Sequence, residues 1–131
     1  MNKDKKTKIL IIEDEATISK TYAEELTDAG FFVITAMNGK TGLELALREK
    51  PNLILLDILM PVMDGLTMLD QLRAKDLYGK NVPIILLTNL SASEEKIMKA
   101  IMKNEPAYYL VKSDWNLSDV VGKVKERLSR P

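Results

Sequence analysis

The 131-residue chain contains no cysteine and no histidine. The first absence removes disulfides and thiolate metal sites. The second removes phosphohistidine chemistry and any Ser-His triad within the chain. An excess of charge of one sign is missing too: Lys+Arg and Asp+Glu both number 19, for a net charge of 0. No net basic field therefore recruits nucleic acid, and direct binding to it is not expected. Long hydrophobic runs are also lacking, since the apolar stretches fall far below the roughly 20 residues of a membrane span. The opening residues Met1 to Lys8 are polar and charged, with no apolar segment behind them. These features predict a soluble, cytoplasmic protein with no membrane contact. Internal repeats and low-complexity linkers are absent. What remains is an ordinary globular composition, 46% apolar, over a length that suits one domain with a full core. Residues 1–7 read as a polar tail and 8–129 as the folded domain.

The chain is organised around Asn52 to Gly65, N-L-I-L-L-D-I-L-M-P-V-M-D-G. Leu53 to Leu56 form an unbroken apolar run, as in a strand covered on both faces of a parallel sheet. Asp57 stands where that run ends. Pro61, Asp64 and Gly65 follow as turn residues, and a helical pattern starts straight afterwards. Open α/β sheets put their chemistry in loops at the carboxyl ends of central strands. Taken alone, Asp57 reads better as a strand-ending turn acid.

Other runs repeat the pattern. Ile9 to Ile12 end in Glu13-Asp14-Glu15, and a helix follows with Ile18, Tyr22, Leu26 and Ala29 on one face and Gly30 to end it. The acids suit the first turn of that helix, where they favour its dipole. Phe31 to Ala36 reads as a strand with an Asn38-Gly39 turn behind it, then a short helix on Leu43, Ala46 and Leu47. Leu66, Leu69 and Leu72 mark the inner face of a helix predicted to end near Tyr78-Gly79. Val82 to Leu87 is a third apolar strand that stops at Thr88-Asn89, where threonine suits a turn or helix cap. Ser91 to Lys103 reads as a helix, capped by Ser91 or Ser93, with Ile97, Ala100 and Ile101 toward the sheet. Met98 and Met102 lie off that face, as core margin or as an adaptable contact surface. Ala107 to Val111 is the last strand, with Lys112 just beyond it. Leu117, Val120, Val121, Val124 and Leu128 close the chain with an amphipathic helix. Strands and helices alternating in this way argue for a parallel sheet with helices on both faces.

Asp14, Asp57, Thr88 and Lys112 thus all fall at strand ends. Each is a weak signal alone; together with D-x-x-M-P-x-M-D-G they form a specific constellation. The chain resembles the response-regulator receiver domains of two-component signalling over essentially its whole length. The resemblance implies a flavodoxin-like (βα)5 three-layer sandwich with strand order 2-1-3-4-5. It implies that Asp57 is the phosphoacceptor, that Thr88 senses the phosphoryl group and that Lys112 holds it. Two unit charges at 4 Å repel by about 4 kcal/mol at an effective dielectric of 20, so clustered carboxylates need a cation unless they are protonated. Oxygen-only donors point to Mg²⁺. By resemblance, Asp14, Asp57 and the backbone carbonyl of Leu59 ligate it directly, with Glu13 reaching it through water. Glu15 is left to the helix start.

Implied partners are a histidine kinase or phosphotransfer protein upstream. Downstream stands a protein or output domain that reads the face of the fourth helix, fifth strand and fifth helix (α4-β5-α5). Tyr109, three residues before Lys112, is the implied switch residue of that face, although Tyr108 lies beside it and either also suits an edge strand. Leu59 and Leu90 occupy the positions that commonly flank the approach of hydrolytic water, and so predict a long-lived phosphorylated state. Ser113 stands where the family usually has proline after a cis bond. A cis bond without proline costs about 2.5–4 kcal/mol, so the Lys112–Ser113 link is either strained or trans. Glu105-Pro106 replaces a common Gly-Ala. Among alternatives, a haloacid-dehalogenase-type phosphatase requires an acid where Leu59 stands, and a degenerate receiver scaffold conflicts with the complete acid, hydroxyl and lysine set.

Overall fold

The computed structural model describes residues 6–58, 64–88 and 95–130, with residues 88, 95–97, 100 and 113 described by their backbone alone. The parallel strands β1 (Lys8–Ile12), β2 (Phe32–Ala36), β3 (Leu53–Leu56), β4 (Ile84–Thr88) and β5 (Tyr108–Val111) form one sheet in the order β2-β1-β3-β4-β5. The helices are α1 (Ala16–Asp28), α2 (Gly39–Glu49), α3 (Gly65–Lys75), α4 (Leu77–Asn81), α5 (Glu95–Met102) and α6 (Leu117–Leu128). The expected flavodoxin-like three-layer order is therefore present.

Side chains alternate across each strand, and the alternation sorts the core into two layers. Ile9, Ile11, Leu53, Leu55, Ile85, Leu87 and Leu110 face Leu26 of α1 and Val120, Val121 and Val124 of α6. Leu10, Ile12, Ile54, Leu56, Ile84 and Leu86 face Met68, Leu69 and Leu72 of α3, with Ala46 and Ile101. Both faces of β1, β3 and β4 are thus dry, which explains their unbroken apolar runs.

Several boundaries differ from the sequence reading. Helix α1 stops at Asp28; Ala29 is its exposed C-cap, and Gly30 turns the chain at φ +101°. Asn38 is the N-cap of α2, its side chain accepting from the Thr41 N–H at 2.9 Å, so Asn38-Gly39 starts a helix instead of forming a turn. Helix α3 ends at Lys75. Extended Asp76 then caps the separate α4, accepting from the Gly79 N–H at 2.7 Å. The apolar spacing hid this break because Tyr78 packs on the same core as Leu69 and Leu72. Its hydroxyl donates to the Pro51 carbonyl at 2.7 Å. Capping of α5 by Ser91 or Ser93 falls outside the described residues.

At the end of the sheet away from Asp57, Arg73 acts as a clamp. Its guanidinium donates to the carbonyls of Val82 at 2.6 Å, Asn104 at 2.9 Å and Gly79 at 3.0 Å, with longer contacts to Lys80 and Glu105. Glu105 adopts the left-handed conformation, φ +49°, which costs a non-glycine residue about 1–2 kcal/mol. The replacement of a common glycine here is thus accommodated by fastening the strained loop to α3. We expect Arg73→Met to lower stability by about 3 kcal/mol, because several partly buried carbonyls lose a charged donor at once. A urea midpoint shift worth less than about 1 kcal/mol would contradict the clamp.

Candidate functional site

Strand register brings the polar residues together. Ile12 pairs with Leu56 and Leu56 with Leu86, so Glu13 and Asp57 leave the sheet side by side. Their backbones remain tied to neighbouring strands: the Asp57 N–H donates to the Ile12 carbonyl and the Glu13 N–H to the Ala36 carbonyl, each at 3.0 Å. Thr88 pairs with Val111, which places the Thr88 backbone next to the strand end that carries Lys112.

Gly65 fixes the start of α3 against this corner. Its N–H donates to the Ile58 carbonyl at 2.7 Å, and a Cβ there would run into the carbonyl oxygen of Asp57. Glycine is required by close approach. Asp64 caps the helix, accepting from the Thr67 N–H at 2.7 Å.

Oxygens of Glu13, Asp14 and Asp57 all lie within 4.8 Å of one another. Glu13 and Asp57 are buried, while Asp14 is half-buried. Lys112 reaches in across the sheet and donates to Glu13 Oε1 at 2.7 Å and to Asp57 Oδ2 at 3.3 Å. The other Glu13 oxygen accepts from the Glu15 N–H at 3.1 Å, which gives Glu15 its place at the helix start. Burial pushes the Glu13 carboxyl above its usual range; the Lys112 and Glu15 bonds oppose that shift, and the Asp57 charge adds to it. For Lys112, burial works against the ammonium, yet its bond to Glu13 and the Asp57 charge outweigh it and raise its value. Among the described residues, one ammonium faces three acids, which leaves them short of positive charge. Carboxylate oxygens without sulfur or imidazole fit a hard divalent cation.

Lys112 leaves β5 through a short 3-10 turn, Lys112–Asp114, and no peptide among the described residues is cis. The Lys112–Ser113 link is accordingly trans. Tyr109 packs on the α3 side of the sheet with Met98, whereas Tyr108 lies on the α6 side, where its hydroxyl donates to Glu126 at 2.6 Å. Met98 belongs to the core margin and Met102 is 55% exposed. Leu59, Leu90 and the Thr88 side chain lie outside what is described. Tyr22, read from the sequence as a core-facing residue of α1, also borders the site, lining a small cavity with Glu13 and Asp57. The signal for it was a polar-tipped aromatic on an otherwise aliphatic helix face.

Residues 9–125 match the response regulator receiver domain family. The chain belongs to that family. A probable transcriptional regulator, ycf27, of Porphyridium aerugineum is 41% identical over 92 residues, 70% of this chain and 37% of the relative. The probable transcriptional regulatory protein SilR of Salmonella typhimurium is 34% identical over 94% of this chain and 51% of its own length. The chain thus spans about half, or less, of these curated relatives. Among solved structures, the BeF3-activated N-terminal receiver domain of Klebsiella pneumoniae RstA superposes with a TM-score of 0.79 at 28% identity, covering 94% of this chain and 99% of that one. A CheY-like receiver of Methanospirillum hungatei JF-1 gives 0.82 at 26% identity, covering 93% of each. Membership removes the haloacid-dehalogenase alternative. Receiver domains are phosphoacceptors, generally not true enzymes, and bind Mg²⁺ at an acidic pocket. No helix among the described residues is long and apolar enough to cross a membrane.

The raised Glu13 value carries a sign for stability. Its contribution is present below the ordinary carboxylate range and is lost as pH rises through the raised value, because the fold disfavours the charged form. Metal-free receiver should therefore lose stability toward neutral pH more steeply than Glu13→Gln. Mg²⁺ should restore it, by about 2.7 kcal/mol at a hundredfold excess over its Kd. Thermal melts with and without Mg²⁺ check both points. An undiminished Mg²⁺ increment in Asp14→Ala would place the ion elsewhere.

Proposed function

We propose that this receiver is the phosphorylated input of a response regulator, with Asp57 accepting a phosphoryl group from a histidine kinase or phosphotransfer protein. The observation that carries the reading is the buried Asp57 carboxylate with the Lys112 ammonium 3.3 Å away. An Asp57 oxygen attacks phosphorus as the donor's P–N bond breaks. An acyl phosphate forms, and the imidazole leaves with the bond's electron pair. Lys112 follows the charge as it develops on the phosphoryl oxygens and holds the product. Glu13 keeps that ammonium oriented in the resting state, through the shorter 2.7 Å contact. Bound Mg²⁺, held by Glu13, Asp14, Asp57 and the Leu59 carbonyl, would supply charge neutralisation between the acids and the phosphoryl group. Incubation with acetyl phosphate and Mg²⁺ should add one phosphoryl mass to the intact protein, and Asp57→Asn should abolish the addition. Labelling that survives in the variant would move the acceptor to another residue.

The same reading extends to the output. The phosphoryl group brings roughly −1.5 to −2 charges; the Thr88 hydroxyl turns toward it and Tyr109 moves inward. Partners, either an output domain beyond this chain or a separate protein, then read the face of α5, β5 and α6, which is the expected α4-β5-α5 face because the short α4 adds one to the helix count. Support comes from the placement of Tyr109 with Met98 on one side of β5, beside exposed Met102. Phosphorylation should shift amide resonances from residue 95 through Lys112. Changes confined to the neighbours of Asp57 would identify a scaffold that does not switch.

A further inference from the structure

Tyr22 occupies a position that the phosphoryl-transfer scheme leaves unused. It faces inward from α1 beside buried Ser19 and Leu26, at helical spacing. On one side it lines a cavity of about 10 Å³ whose other polar walls are Glu13 and Asp57, close to the room that one water needs. On the other side it lines a groove of about 290 Å³ between α1 and the start of α6, together with Lys112, Ile18 and Leu117. One half-buried ring thus borders both the acidic pocket and the groove along which the Lys112 side chain runs. It does so next to the single long side chain that must stay turned inward.

Lysine has a flexible four-carbon stem and a strongly hydrated head. An ion pair alone does not hold such a side chain. Lys123 and Glu126 also meet at 3.1 Å, yet their side chains remain 30% and 49% exposed, whereas those of Lys112 and Glu13 are 13% and 5% exposed. Lys112 has a second acid, Asp57, and a flank lined by Tyr22, Ile18 and Leu117. The electrostatics agree with this placement: burial raises the Tyr22 hydroxyl's pKa, the Lys112 charge lowers it and the Glu13 charge raises it.

We propose that Tyr22 is a positioning residue whose ring closes the α1 side of the pocket and keeps the Lys112 ammonium on Glu13 and Asp57 instead of in solvent. Its consequence for phosphoryl transfer rests on the function proposed above; its structural content does not. The experiment therefore uses two independent readouts on the full chain, in wild type, Tyr22→Phe and Tyr22→Leu. The first is the lysine ammonium ¹H–¹⁵N spectrum, in which a sheltered, bonded ammonium exchanges slowly enough to be seen, and Lys112→Arg supplies the assignment. The Lys112 cross-peak is expected in wild type and Tyr22→Phe and lost in Tyr22→Leu. Tyr22→Met replaces that variant if it does not fold. The second is the rate of Asp57 labelling by acetyl phosphate, expected to fall about tenfold in Tyr22→Leu and to be kept by Tyr22→Phe.

A cross-peak absent from wild type, or retained in folded Tyr22→Leu, overturns the proposal. Loss of the cross-peak with an unchanged labelling rate overturns its functional half. If wild type does not label at all, the phosphoacceptor reading fails, while the cross-peak still decides the role of Tyr22.

Discussion

Three acids held within reach of one another at the end of a dry parallel sheet are the constraint on which the rest of this receiver depends. Their repulsion opposes folding, so everything around them serves either to offset it or to prevent escape. Lys112 supplies charge from the far side of the sheet. The backbone of Glu13 is tied to β2 and that of Asp57 to β1, and α3 is seated on the carbonyl of Asp57. Burial, with the Asp57 charge adding to it, still leaves the Glu13 carboxyl above its usual range. A pocket so arranged favours additional positive charge.

The sheet converts this local tension into a shared frame. Because the strands run parallel and in register, four strand ends open at one rim, and groups distant in sequence meet without long loops. The opposite rim has a different task. There Arg73 gathers carbonyls from the end of α4 and the turn after α5, and its grip tolerates the left-handed Glu105. Strain is thus placed away from the chemistry, under a fixed cation whose own value is lowered chiefly by burial.

Much of this was legible in the sequence for identifiable reasons. The unbroken runs of β1, β3 and β4 announced strands covered on both faces, and a polar residue after each marked the rim. Long periodic helices such as α6 came through intact. Boundaries did not, because apolar spacing carries no information about where a backbone changes direction: Tyr78 continues the pattern of Leu72 across the break at Asp76. The choice between Tyr108 and Tyr109 rested on an offset from Lys112. The sheet adds that the two face opposite layers, with only Tyr109 beside Met98. Arg73 and Tyr22 were missed as more than helix residues because the groups they meet lie in other elements.

The contact between Gly65 and Asp57 has a mechanical meaning. With a helix terminus pressed against its carbonyl and its amide bound to β1, the main chain of Asp57 is held from both sides. Asp57 behaves as an anvil. Load applied at its carboxylate is therefore carried jointly by β1 and α3, and not by the strand beneath alone.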